Sequence, residues 1–161
     1  MRLVTGTPTA AVETLLDALD DAAAAHDVAA QAFDARYVAD RRHLERAVTL
    51  ADRERSRGEA IARDRAMEIL LYAAGRRQID RALALGAREG EPAVVVVAGD
   101  GEAGAAEAVG ALDCFDTHPV ELGDRATLRG FFEVGDAELA AAGGDLAGLV
   151  RERVALLVVE R

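Results

Sequence analysis

Apolar residues recur along the chain with two spacings, one typical of helices and one typical of buried strands. Within residues 38–55, apolar side chains recur at i, i+3, i+4 and i+7 from Leu44 onward, which predicts a helix. Residues 93–98 instead form an unbroken apolar run with four consecutive valines, which predicts a buried strand. The chain therefore contains both kinds of element.

The same patterns predict the remaining elements and their boundaries. Strands are expected at 2–5, at 28–33, within 114–122 and at 154–159, and further helices at about 9–25, 64–74, 79–86, 102–110, 124–134 and 145–153. Two of these helices have predicted caps, at Thr7-Pro8-Thr9 and at Asp64. Gly75 is predicted to interrupt the helix that ends at 74. Because the strands and helices do not alternate strictly, we expect a single two-layer α+β domain over 1–161, with a mixed or antiparallel sheet.

Positive charge is concentrated in the middle of this acidic chain. All 19 basic residues are arginines, and 13 of them lie within residues 36–88, the arginine-rich segment, against 8 acidic residues there. The segment is thus net positive in a chain of net charge −10. Arginine offers a planar fork of donors that suits phosphate, so the segment indicates an anionic partner. The absence of lysine beside 29 acidic residues is typical of a halophilic archaeon.

Two arginine clusters within this segment are candidate anion-binding sites. The first comprises Arg41, Arg42, His43 and Arg46 on the predicted helix, where the alternative is a solvated face with Arg41 paired to an acid four residues later. The second comprises Arg76, Arg77 and Gln78 at a predicted helix start, where free backbone N–H groups and arginines suit phosphate. Its alternative is that both arginines cap the preceding helix. Together the clusters favour a common anion-binding surface.

The sequence offers no convincing catalytic set, and neither a metal site nor a cofactor is expected. Gly99, Gly101 and Gly104 match a dinucleotide-binding pattern, but the intervening Asp100 and Glu102 would repel phosphate. We interpret the pattern as a plain strand-to-helix turn, with a nucleotide-binding enzyme as the alternative. The three histidines lack metal-ligand spacing. A single cysteine, no apolar leader and no membrane-length apolar run predict a cytoplasmic protein.

The middle of the chain resembles the TPRKB (PRPK-binding) family, the small Cgi-type subunit of the KEOPS complex. The resemblance is carried by FDARYVADRRHLERAVTLA and by MEILLYAAGRRQIDRALALGA, most specifically by residues 67–70 and 74–79. It covers residues 1–100 and extends to a similar closing helix and strand ending in ALLVVER. It implies a non-catalytic α+β subunit, whose complex makes threonylcarbamoyl-adenosine on tRNA.

The resemblance implies two direct partners and a set of binding residues. The family's subunit binds the small kinase/ATPase of the complex, and through it the transferase, and helps to hold tRNA by its CCA end. Carried over by motif, the tRNA-binding positions are Arg41, Arg42 and His43 at the basic helix start and Arg76, Arg77 and Gln78 at the basic turn. The alternative is a purely structural adaptor, in which the arginines dock an acidic protein face instead of RNA.

Overall fold

The computed structural model describes residues 1–159, which form a four-stranded sheet and eight α-helices. The strands are β1 (Arg2–Pro8), β2 (Val28–Asp34), β3 (Ala93–Gly99) and β4 (Phe115–Thr117). The helices are α1 (Val12–His26), α2 (Arg41–Ser56), α3 (Arg65–Ala74), α4 (Ile79–Ala82), α5 (Glu102–Gly110), α6 (Arg125–Phe131), α7 (Asp136–Ala141) and α8 (Leu146–Leu156). The predicted α+β class is confirmed, and the sheet is antiparallel.

The chain divides into two compact units, each built from two separate stretches of sequence. Unit 1 comprises Met1–Ala35 and Gly86–Glu121 and holds the sheet with α1 and α5. Unit 2 comprises Arg36–Leu85 and the chain from Leu122 onward, and holds the other six helices. The arginine-rich segment thus falls almost wholly into unit 2. That residues 1–161 form one domain stays a prediction.

Unit 1 is built around β3, which lies inside a sheet of order β2-β3-β1-β4. Every residue from Ala93 to Ala98 is buried, which explains why this strand has a continuous apolar run rather than an alternating one. α1 and α5 cover one face of the sheet and bury Leu15, Leu19 and Val109 against it. The resulting core uses alanine, valine and leucine side chains, as the composition requires.

Unit 2 is a helical assembly in which α2 packs against both α3 and α8. α3 begins at the predicted cap, where the Asp64 side chain accepts a hydrogen bond from the Met67 N–H. It ends at Gly75, whose φ of +62° lies in the left-handed region that favours glycine. A second apolar cluster, contributed by α6 to α8, includes Phe132 and Val150.

Three predicted elements are wrong in detail, and one helix is absent from the prediction. Residues 154–159 are not a strand, because the helical period of α8 continues from Val150 through Val154 to Leu157, all buried. Pro8 ends β1 instead of opening α1, which begins at Val12 without a side-chain cap. The helix expected to reach residue 86 ends at Ala82, and a 3₁₀ turn follows it. α7 was not predicted.

Candidate functional site

The N-terminus of α2 is fixed by one carboxylate that serves two partners. Asp40 Oδ1 accepts a hydrogen bond from the His43 N–H at 2.8 Å, which caps the helix. Asp40 Oδ2 accepts a hydrogen bond from Arg151 Nη1 of α8 at 3.0 Å. Leu44 and Ala47, one turn further on, are fully buried. The Asp40 hydrogen bonds and the buried Leu44 and Ala47 therefore fix the position of α2, and its opposite face carries the arginines.

His43 lies in the interior and is not part of an anion-binding surface, which corrects its predicted place among the tRNA-contacting residues. Its Nδ1 accepts from the Ala39 N–H at 3.1 Å, so the ring proton is on Nε2, which donates to the Ala73 carbonyl at 2.8 Å. The ring also packs edge to face on Phe132. Burial lowers the pKa of His43 to about 4, so the imidazole is neutral at neutral pH.

The hydrogen bond from His43 joins the two predicted clusters. Ala73, its acceptor, stands three residues before Arg76, at the end of α3. The start of α2 and the turn after α3 are consequently neighbours within unit 2. His43 is therefore a positioning residue, which sets where the arginines of both clusters lie.

The arginines of the first cluster have different environments. Arg41 Nε donates to Glu45 Oε1 at 2.9 Å, which is the ion pair expected for a solvated helix face. Arg42 and Arg46 are exposed, and within residues 1–159 no carboxylate pairs with either. With Glu45, Thr49 and Arg151, they line an open cleft of about 340 Å³. Only two of the three arginines predicted on this helix are thus available to an external anion.

The two arginines of the turn after α3 also differ in environment, because one is half-buried and the other is exposed. Arg76 Nη2 donates to the Phe131 carbonyl at 2.8 Å, and its guanidinium carbon lies 4.9 Å from the centroid of the Phe131 ring. This half-buried arginine is occupied inside unit 2 by a hydrogen bond and a cation–π contact. Arg77 and Gln78 are exposed. Because α4 has only four residues, its macrodipole adds little to anion binding, contrary to expectation.

The glycines of the strand-to-helix turn are explained by close packing within unit 1. A Cβ at Gly101 would overlap the carbonyl oxygen of His26. A Cβ at Gly104 would lie 2.9 Å from Nδ1 of the same histidine, closer than real contacts of this kind. Gly101 therefore needs glycine for the fold itself, because its neighbour is backbone, whereas at Gly104 the neighbour is a side chain. The turn also carries two acidic side chains, Asp100 and Glu102. This packing supports the interpretation as a plain turn.

The structure adds two residues that the sequence did not indicate. Arg151 lies outside the arginine-rich segment, and its contact with Asp40 spans 111 positions, so no local pattern could have identified it. Thr49 follows Arg42 and Arg46 on the same face of α2, at the i+7 position. That helical spacing was the one available signal for Thr49.

The distribution of charge between the units is strongly unequal. Unit 2 holds 17 of the 19 arginines against 15 acidic residues, a formal charge of +2. Unit 1 holds 2 arginines against 14 acidic residues, a formal charge of −12. An anionic ligand would consequently be repelled by unit 1 and accepted by unit 2. Within the part of the chain that the structure describes, no group of His, Cys, Asp or Glu side chains is arranged to hold a metal ion, and no helix is long and apolar enough to cross a membrane.

Comparison with known proteins gives one clear result. A search of curated protein sequences finds no match to this chain. The model of a protein family described as kinase binding protein CGI-121 matches residues 9–157, which is most of the 161-residue chain. This match confirms the resemblance found in the sequence and extends it across both units. The chain therefore belongs to the CGI-121 family of kinase-binding proteins.

Proposed function

We propose that this kinase-binding protein is a non-catalytic subunit of a KEOPS-type complex, which joins a small kinase/ATPase to tRNA during threonylcarbamoyl-adenosine synthesis. Through the kinase it is linked to the transferase subunit. Membership of a kinase-binding family supports the first of these contacts. The observation that carries the second is the exposed, unpaired arginine pair Arg42 and Arg46 in a chain of net charge −10. Arg77 and Gln78 extend the proposed tRNA-binding surface.

The roles of the other predicted tRNA-binding residues follow from their partners. Arg41 is paired with Glu45, and Arg76 is held by Phe131, so their guanidinium groups contribute mainly to local structure. His43 acts indirectly, by holding the start of α2 against the end of α3. The proposed surface is thus smaller than the set of basic residues in the sequence.

The experiment for RNA recruitment measures binding of tRNA to the isolated chain, using intact tRNA and tRNA trimmed of its CCA end. If the chain holds the CCA end, trimming should remove most of the affinity. Equal binding of both would reduce the interaction to general attraction by the RNA backbone. No binding of either tRNA would leave a purely structural adaptor as the function.

We propose that the kinase binds at two exposed apolar residues, one at the start of α4 and one directly after its end. Ile79 and Leu83 are 48% and 54% exposed and lie four positions apart. Exposed apolar side chains mark sites of protein interaction, and a few central residues contribute most of the binding energy of an interface. The double substitution Ile79→Asp and Leu83→Asp should abolish the one-to-one complex with the kinase in size-exclusion chromatography. Leu16→Asp, at an exposed leucine of α1 in unit 1, is the matched control and should leave the complex intact.

A further inference from the structure

The open cleft on unit 2 is lined by side chains of two helices, α2 and α8. Arg42, Arg46 and Thr49 succeed one another at i, i+4 and i+7, so α2 presents them along one stripe. Seven residues of helix extend over about 10 Å, which is the length of that stripe. Arg151 of α8 adds a third guanidinium to the same cleft. Three arginines, a hydroxyl and the Glu45 carboxylate therefore line one open cleft.

The two carboxylates near this cleft are already engaged by arginines. Glu45, which lines the cleft, accepts a hydrogen bond from Arg41 at 2.9 Å. Asp40 accepts one from Arg151 and caps α2. Counting these two acids together with Arg41, Arg42, Arg46 and Arg151 leaves a formal surplus of two positive charges. Neither Arg42 nor Arg46 has a carboxylate partner within residues 1–159, so the positive charge in the cleft would attract an anion.

Some arginines elsewhere in unit 2 are paired with carboxylates. Arg65 pairs with Asp52 at 2.8 Å, and Arg153 pairs with Glu138 at 2.6 Å. Unit 2 contains 15 acidic residues, enough to neutralise most of its arginines. Arg42 and Arg46 have no carboxylate partner within residues 1–159, as is also true of exposed arginines such as Arg63. What distinguishes them is that they line one cleft together with Arg151.

The chemistry of the lining favours a phosphodiester over an acidic protein surface. None of the five side chains that line the cleft is apolar or aromatic. Arginine is common at the centre of protein interfaces too, but there it is accompanied by aromatic residues, which this lining does not contain. Guanidinium groups bind two phosphate oxygens at once, and a threonine hydroxyl donates readily to a phosphate. The cleft thus has the donors for phosphate and lacks aromatic side chains.

We infer that Arg42, Arg46, Thr49 and Arg151 form a phosphodiester-binding site that holds the backbone of the recruited RNA. The inference rests on the proposed tRNA recruitment and adds to it the ligand group and two residues, Thr49 and Arg151. A site of this kind contacts phosphates and not base edges, so it contributes affinity and register without sequence preference. Its contribution falls with salt, because each neutralised phosphate of a single strand adds about 0.7 to the salt slope.

The test measures tRNA affinity by fluorescence anisotropy over a series of salt concentrations. The double variant Arg42→Ala and Arg46→Ala removes the two exposed, unpaired guanidinium groups and leaves the Asp40 cap intact. The matched control is Arg63→Ala with Arg125→Ala, since both are exposed arginines of unit 2 outside the cleft. Circular dichroism and thermal unfolding verify that each variant is folded.

The cleft variant should raise the Kd for tRNA at least about tenfold and lower the salt slope by roughly 1 to 2, whereas the control should change both much less. The loss should be the same for an RNA of scrambled sequence. Equal effects of cleft and control variants would overturn the site while leaving RNA recruitment in place. Unchanged RNA binding with loss of the kinase complex would show that the cleft is a protein interface. Absence of RNA binding by the unmodified chain would overturn RNA recruitment and the site together.

Discussion

Acidification should destabilise this protein through one buried imidazole, His43. Its pKa is about 4 in the folded protein, chiefly because burial penalises the charged ring, and is 6.5 when it is unperturbed. Nearby Asp40 raises this pKa and Arg151 lowers it, both less strongly than burial. The unfolded chain therefore binds a proton at this residue over roughly pH 4 to 6.5 that the folded protein does not bind.

The sign and size of the effect follow from this difference. Because the folded pKa is depressed, the stabilising contribution is present above pH 6.5 and is lost as the pH falls towards 4. The full pKa difference of about 2.5 between the unfolded and folded states corresponds to about 3.4 kcal/mol of unfolding free energy. Between pH 7 and pH 5 the loss should be about 2 kcal/mol, since most of the unfolded-state imidazole is then protonated.

The assay is urea unfolding at several pH values between 7 and 5, for the unmodified protein and for His43→Gln. Glutamine keeps an amide donor for the Ala73 carbonyl and does not titrate. Carboxylates that protonate in this range act on both proteins, so the comparison isolates the imidazole. The unmodified protein should lose about 2 kcal/mol more than the variant. Parallel pH dependences of the two proteins would refute the account of a buried, neutral His43.

Two further predictions come from residue pairs that look alike in the sequence. Arg76→Ala should lower the free energy of unfolding by about 1 to 2 kcal/mol, because it removes a hydrogen bond and a cation–π contact, whereas Arg77→Ala should leave stability unchanged and weaken tRNA binding. Thermal unfolding and anisotropy separate these outcomes, and equal stability of the two variants would contradict them. Gly101→Ala should lower the Tm strongly because the new methyl overlaps the His26 carbonyl, while Gly130→Ala, in open space on α6, should be neutral or stabilising by up to about 1 kcal/mol. A neutral Gly101→Ala would remove the packing explanation of the glycine turn.

Local sequence patterns predicted those elements whose secondary structure is determined by residues close to them in the chain. The strand at 93–98 and the helix Glu102–Gly110 were found because an apolar run and a following turn are local signals. The failure at 154–159 has a physical reason. β-branched residues favour a strand by propensity, but Val154 and Leu157 complete a buried helical stripe, and tertiary packing outweighs propensity.

The candidate site was predictable in its location but not in its membership. Charge concentration and helical spacing identified Arg42 and Arg46, which the structure leaves exposed. The same signals also selected His43, because a sequence does not show that both nitrogens of a ring are used internally. Arg151 was missed because it reaches the cleft through a contact between distant parts of the chain. Which of several arginines is free depends on where the acids lie in space.

The central claim is that one chain binds an RNA through Arg42 and Arg46 and a kinase through other residues, and the most direct measurement is size-exclusion chromatography of the chain with its kinase and tRNA. The unmodified chain should elute in a one-to-one complex with the kinase that also carries tRNA. The variant Arg42→Ala with Arg46→Ala should retain the kinase and lose most of the tRNA. A variant that loses the kinase while keeping the tRNA, or an unmodified chain that carries no tRNA, would contradict the account.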